Sequence, residues 1–165
     1  MDRSTLAKRV GVAVLSLSAA GGVFLATKEG TVQRTYLDSI GIPTVCTGHT
    51  GPEVKMGQFY TPEQCQEILR KDVGSVQYMI QRAIKVPLYQ YEYDALVSLC
   101  FNIGNTACST STLFKIINNG DYAAAAAQFP RWRFAGGKDC AVRANNCYGV
   151  YLRRLDESNL WKGKY

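Results

Sequence analysis

At 165 residues the chain is long enough for one domain with a substantial core, and at 19% charged and 47% hydrophobic residues it is not an intrinsically disordered chain. The net charge is +6, and from Arg131 to Tyr165 eight Lys/Arg face three acids, so the basic excess lies near the C-terminus. Such a face suits anionic lipid or an anionic wall polymer, or is merely solvated; with no recognition-helix pattern or stacking platform, no nucleic-acid partner is expected.

The first nine residues carry Arg3, Lys8 and Arg9, and Val10 to Thr27 follows without a charge. Eighteen apolar residues after a basic start are near the lower limit for a membrane span. The span is weak, because Gly11, Gly21, Gly22, Ser16, Ser18 and four alanines dilute Val14, Leu15, Leu17, Phe24 and Leu25. Three readings compete: a signal peptide cleaved near Ser18-Ala19-Ala20, a permanent anchor, and an anchor feeble enough to leave the bilayer. The third fits the composition best, since small residues lower the transfer gain and can pack closely on protein. The division expected is a membrane-leaving segment over 1–27 and a folded domain over 28–165.

Lys28 to Gly51 reads KEGTVQRTYLDSIGIPTVCTGHTG. Asp38 lies nine residues after Glu29, and Thr44 fifteen after it; His49, the single histidine, closes the stretch. Gly30, Gly41, Pro43, Gly48 and Gly51 mark tight turns, so the segment reads as a small antiparallel sheet with Tyr36, Ile40, Ile42, Val45 and Phe59 as apolar anchors. Glu29 would leave the end of a helix, and Asp38 and Thr44 would lie on the strand segment. Two carboxyls and a hydroxyl suit water attack on an acetal carbon, with one acid protonating the leaving oxygen and the other orienting water. On spacing alone a surface hairpin with ordinary acids is the better description.

Thr61-Pro-Glu-Gln64 is a helix start with an N-cap, an early proline and a capping-box glutamine. Cys65, Ile68, Leu69, Val73, Val76, Ile80 and Ala83 then recur at helical spacing, bounded by Pro87. A buried helix is expected from Leu88 to Ile103, with Tyr89, Tyr91 and Tyr93 packing at its start. Another runs from Thr110 to Asn119, with Gly120 as its stop. Asp121 caps the alanine run 123–127, which Pro130 ends. Cys140 to Cys147 encloses a loop, and Tyr148 to Leu160 is a final helix carrying Arg153 and Arg154.

Six cysteines admit 15 pairings. They form three local couples, Cys46/Cys65, Cys100/Cys108 and Cys140/Cys147, and pairing within couples is expected from proximity, although the count does not impose it. Buried free thiols are the alternative. No C-x2-C pair exists and one histidine cannot complete a Cys/His zinc site, so disulfides made outside the cytosol are the better reading.

Glu-x8-Asp-x5-Thr followed by G-H-T-G resembles the phage-type lysozymes, glycoside hydrolase family 24. Tyr60 to Cys65, Leu69 to Asp72, Phe101-Asn-Ile-Gly104, Ser111-Thr-Leu113, Arg131-Trp132 and Gly136-Gly137 extend the likeness, from about Glu29 to Glu157. The N-terminus resembles the signal-anchor-release endolysins within that family. The resemblance implies an α+β, predominantly helical fold of two lobes: a small antiparallel sheet in the N-terminal lobe and a helical C-terminal lobe, joined by a long helix. It implies a muramidase cleaving the β-1,4 bond between N-acetylmuramic acid and N-acetylglucosamine in bacterial peptidoglycan, with inversion and without metal or cofactor.

On that resemblance Glu29 is the general acid, and Asp38 with Thr44 positions water. A general acid of this kind needs a partly apolar site to keep its proton near neutrality. His49 takes a structural place paired with Asp72, and Asn102, Trp132 and Arg153 are candidates to meet substrate, Arg153 or Arg154 by reaching the carboxyls. While residues 10–27 sit in the host inner membrane, Glu29 is held at the bilayer surface; release into the periplasm lets the former anchor pack on the enzyme. The anchor has no cysteine, so control by thiol exchange within it is excluded and control is topological. A monomer is expected. A non-catalytic wall-binding protein and a lytic transglycosylase are the alternatives.

Overall fold

The computed structural model describes residues 8–38 and 40–164. Arg3 of the basic start lies outside the described residues.

The apolar run does not form one helix. Val10 pairs through backbone hydrogen bonds with Leu88 (2.9 Å in both directions), Val12–Val14 forms a 3₁₀ turn, and the chain is extended until Ser18 caps a helix, α1 (Ala19–Glu29). Serine and glycine favour caps and irregular backbone over helix interior, which accounts for the break. Among the described residues no helix is long and apolar enough to cross a membrane. Val12, Leu15 and Leu25 instead join the main core, whereas Val14 and Val23 face solvent. Helix α1 runs through the expected boundary at residue 27 without interruption.

Gly30 (φ 64°) ends α1 immediately after Glu29 and turns the chain into a three-stranded antiparallel sheet, β1 (Val32–Leu37), β2 (Pro43–Cys46) and β3 (His49–Thr50), in the order β1-β2-β3. Thr44, on the central strand, lies opposite Tyr36 on one side and Thr50 on the other. Of the five apolar residues expected to anchor this segment only Val45 is buried. Tyr36, Ile40, Ile42 and Phe59 are exposed, because these short strands and turns have too little facing structure to cover them. The small core here is Val45, Cys46, Val54 and Cys65.

Helix α2 (Pro62–Ala83) starts with the full capping box of Thr61 and Gln64. At 22 residues it spans about 33 Å. Its first turn gives Cys65 to the small core, and Val73, Val76 and Ile80 enter the large one, so it joins the two lobes. Helix α3 (Gln90–Ile103) is buried from Glu92 to Cys100, and begins two residues later than the pattern suggests because Tyr89 is its N-cap. Then follow α4 (Asn105–Ser109), α5 (Thr112–Asn118, capped by Ser111) and α6 (Tyr122–Ala126, capped by Asp121). A second sheet, β4 (Phe134–Ala135) with β5 (Lys138–Asp139), turns at Gly136-Gly137. The last helix, α7 (Tyr148–Trp161), packs along α3. Neither α4 nor the second sheet was expected: five- and two-residue elements are too short to show a period.

The disulfides join Cys46–Cys65, Cys100–Cys108 and Cys140–Cys147. The first ties β2 to the start of α2. The last closes a loop that contains a 3₁₀ turn at Arg143–Asn145.

Candidate active site

Glu29 is the last residue of α1, and its side chain is only 13% exposed. Arg153 of α7 holds it, with Nη2 2.6 Å from Glu29 Oε1. Lys28, one residue earlier, pairs with Asp156 on the same helix. Two adjacent ion pairs thus fasten the end of α1 to α7.

Arg153 is itself held in a buried group. Its Nε lies 3.1 Å from Glu157 Oε1, and its Nη2 donates to the Ser98 carbonyl at 3.1 Å. Glu157 also pairs with Arg154 (2.9 Å) and accepts a 2.6 Å hydrogen bond from the Ser98 hydroxyl. Burial pushes the Glu157 carboxyl up from its ordinary range, against the pull of Arg154, Arg153 and Ser98. Burial likewise pushes the Arg154 guanidinium down, with Glu157 opposing. Breaking such a pair by removing one partner strands a buried charge, so the arrangement is rigid.

Asp38 follows β1 directly. Its Oδ1 accepts from the amides of Ile40 and Ile42, both at 2.9 Å, and its own amide donates to the Ile42 carbonyl. The buried Thr44 donates its hydroxyl to that same carbonyl at 3.0 Å. Asp38 and Thr44 are therefore brought together around Ile42, on the sheet. Glu29 is fastened to α7, and two residues separate it from β1. This leaves the two carboxyls on separate frames, one helical and one of strand and turn.

His49 sits between two acids, Nδ1 2.7 Å from Asp72 Oδ2 and Nε2 2.7 Å from Glu53 Oε1. Burial works against the charged ring, but the hydrogen bonds to Glu53 and Asp72 outweigh it and the His49 pKa is raised. Both ring nitrogens are engaged, and the group ties β3 to α2. Asn102 is exposed near the end of α3. Trp132 is half-buried against the main core, and lines a cavity of about 450 Å³ with Thr112, Leu113, Gln128, Arg131 and Phe134.

Several buried polar residues went unnoticed in the sequence. Glu92 holds Arg9 through both carboxylate oxygens (3.0 and 2.8 Å), and Arg9 also lies over the rings of Tyr122 (3.6 Å) and Tyr89 (4.4 Å). Asp94 accepts from the Ser18 amide and hydroxyl at 3.0 and 2.5 Å. Glu92, Asp94 and Ser98 interrupt an otherwise apolar helix, the one signal available in the sequence.

A two-lobed helical fold with a small antiparallel sheet, its lobes joined by one long helix, is that of a lysozyme-like protein. The family model described as phage lysozyme matches residues 26–157, and the chain belongs to that family. It is 37% identical over 164 residues to the SAR-endolysin of Escherichia phage Mu, covering 93% of this chain and 91% of the relative. It is 40% identical over 127 residues to the endolysin of Salmonella phage P22, covering 74% and 87%. A crystal structure of a P22 lysozyme mutant superposes with a TM-score of 0.76 at 37% identity, covering 90% of this chain and 99% of that one.

Proposed function

We propose that the protein is an endolysin that hydrolyses the β-1,4 bond between N-acetylmuramic acid and N-acetylglucosamine in bacterial peptidoglycan, and so lyses the host. Glu29 donates the proton to the leaving glycosidic oxygen. Asp38, with the Thr44 hydroxyl beside it, orients the attacking water on the other sugar face, and the anomeric configuration inverts. No cofactor takes part, and the enzyme acts as a monomer. The observation that carries this reading is the Glu29 side chain, shielded at the end of α1 and fixed by Arg153 at 2.6 Å, with the Asp38–Thr44 turn beginning nine residues on.

The same reading assigns residues 10–27 to the host inner membrane before release and to the enzyme afterwards. It is supported by the charge-free run and by the likeness to SAR-endolysins. In the membrane state Glu29 stands at the periplasmic surface, away from Arg153; release lets α1 seat on α3 and α7 and completes the site in the periplasm.

The test is to digest purified peptidoglycan with the full chain and analyse the products by mass spectrometry and by NMR of the first-formed anomer. New reducing ends of muramic acid with initial α configuration are expected. Anhydro sugars would make it a transglycosylase, β product a retaining enzyme, and no new ends a wall-binding protein.

A further inference from the structure

Helix α1 is fastened to the body through few apolar contacts. Among its residues only Gly21 and Leu25 are buried. Polar contacts hold its two ends. At the C-terminal end Lys28 and Glu29 meet Asp156 and Arg153. At the N-terminal end the Asp94 carboxylate, itself only 4% exposed, accepts from the Ser18 amide and hydroxyl, and Ser18 Oγ in turn accepts from the Gly21 amide at 2.9 Å. A Cβ on Gly21 would stand 2.5 Å from Asp94 Cγ, so the helix rests directly on that carboxylate.

Asp94 belongs to a stripe one turn apart along α3: Gln90, Asp94 and Ser98. Gln90 donates to the Ser16 carbonyl at 2.8 Å and to Asp94 at 3.0 Å. Ser98 binds Glu157 through its hydroxyl and Arg153 through its carbonyl. One helix therefore keys both the start of α1 and the arginine that receives its end. Glu29 lies eleven residues after Ser18, about 16 Å along the helix. A slip of one residue moves every side chain by about 1.5 Å and 100° around the axis, enough to take Glu29 from Arg153.

We propose that Asp94 is a positioning residue for the catalytic carboxyl: with Gln90 and Ser98 it sets where α1 begins relative to Arg153, and so where Glu29 stands when substrate arrives. The inference rests on the assignment of Glu29 as the general acid. A misplacement of about 1 Å costs on the order of 100-fold in rate, so the effect falls on turnover.

The experiment measures kcat and KM of the purified, released full chain on soluble peptidoglycan fragments, with thermal unfolding alongside. Asp94→Leu should lower kcat at least about tenfold with KM little changed and cooperative unfolding retained. Ser18→Ala and Gly21→Ala, which disturb the same contact from the other side, should lower kcat in the same sense and keep the inference testable if Asp94→Leu does not fold. Asp94→Asn keeps an oxygen to accept from the Ser18 amide and should restore part of the loss. Wild-type kcat in the Ser18 and Gly21 variants, or losses confined to KM or matching the unfolded fraction, would overturn it. Glu29→Gln is run beside them: full activity there removes the acid assignment itself, whereas an inactive Glu29→Gln with an unimpaired Asp94→Leu removes only the role of Asp94.

Discussion

Arg153 reaches Glu29 from the last helix of the chain, Nη2 to Oε1 at 2.6 Å, across 124 residues of sequence. It is not an isolated pair. The guanidinium is also held by Glu157 and by the Ser98 carbonyl, so it arrives at Glu29 already oriented.

Arg153→Met should therefore lower turnover more than binding. Glu29 loses the partner that fixes it, and Glu157 keeps only Arg154 and Ser98. Removing one partner of a buried pair costs about 3–5 kcal/mol, which in a domain of this size lowers the melting point by roughly 6–20 °C. Thermal unfolding and steady-state kinetics on the purified variant check both parts.

The His49–Asp72 pair predicts a different separation. Asp72→Asn should leave kcat near wild type and destabilise the fold by ~1 kcal/mol, the upper end for a pair near the surface. The folded-state pKa of His49 is raised, so its contribution is full below the unfolded value of about 6.5 and is lost as pH rises through the folded value. The gap in melting point between wild type and variant should accordingly be widest near pH 6 and narrow on the alkaline side. A selective loss of activity would move His49 into the catalytic group.

The fold was legible where the signal is local. The Thr61 capping box, the cap at Asp121 and the stop before Gly120 all mark real helix ends, whereas the helix expected from Thr110 starts at Thr112 behind a Ser111 cap. Glu29 likewise ends a helix, as the following glycine suggests. What escaped is what depends on distant partners. Asp94 and Glu92 look like surface acids in a linear reading, and the return of Ser18 and Arg9, 76 and 83 residues away, adds the partners that make their burial tolerable. The exposure of Tyr36, Ile40, Ile42 and Phe59 was hidden for the converse reason: a small sheet has no second layer to bury them.

The disulfide joining Cys46 to Cys65 is the covalent link between β2 and the connecting helix. Replacing both by serine should cost about 3 kcal/mol on the chain-entropy account, seen as a fall of roughly 6–12 °C in the melting point. A smaller effect is expected at Cys140–Cys147, which closes a shorter loop of sequence separation 7.

The proposed release from the membrane predicts an outcome in cells. Substituting leucine at Gly11, Ser16 and Gly22 raises the membrane preference of the span without adding charge. Gly21 is left unchanged because its place is taken by Asp94. Lysis should be delayed and the protein should remain in the membrane fraction; unchanged timing with soluble enzyme would argue against a regulated exit from the bilayer.

The most direct measurement is the turnover of purified Glu29→Gln on peptidoglycan, read with its melting point. Glutamine keeps the shape and an oxygen for Arg153 but has no proton to give. Loss of activity by a factor of about 10² to 10⁴ in a variant that still unfolds cooperatively is the expected result. Wild-type turnover by a folded Glu29→Gln would contradict the assignment.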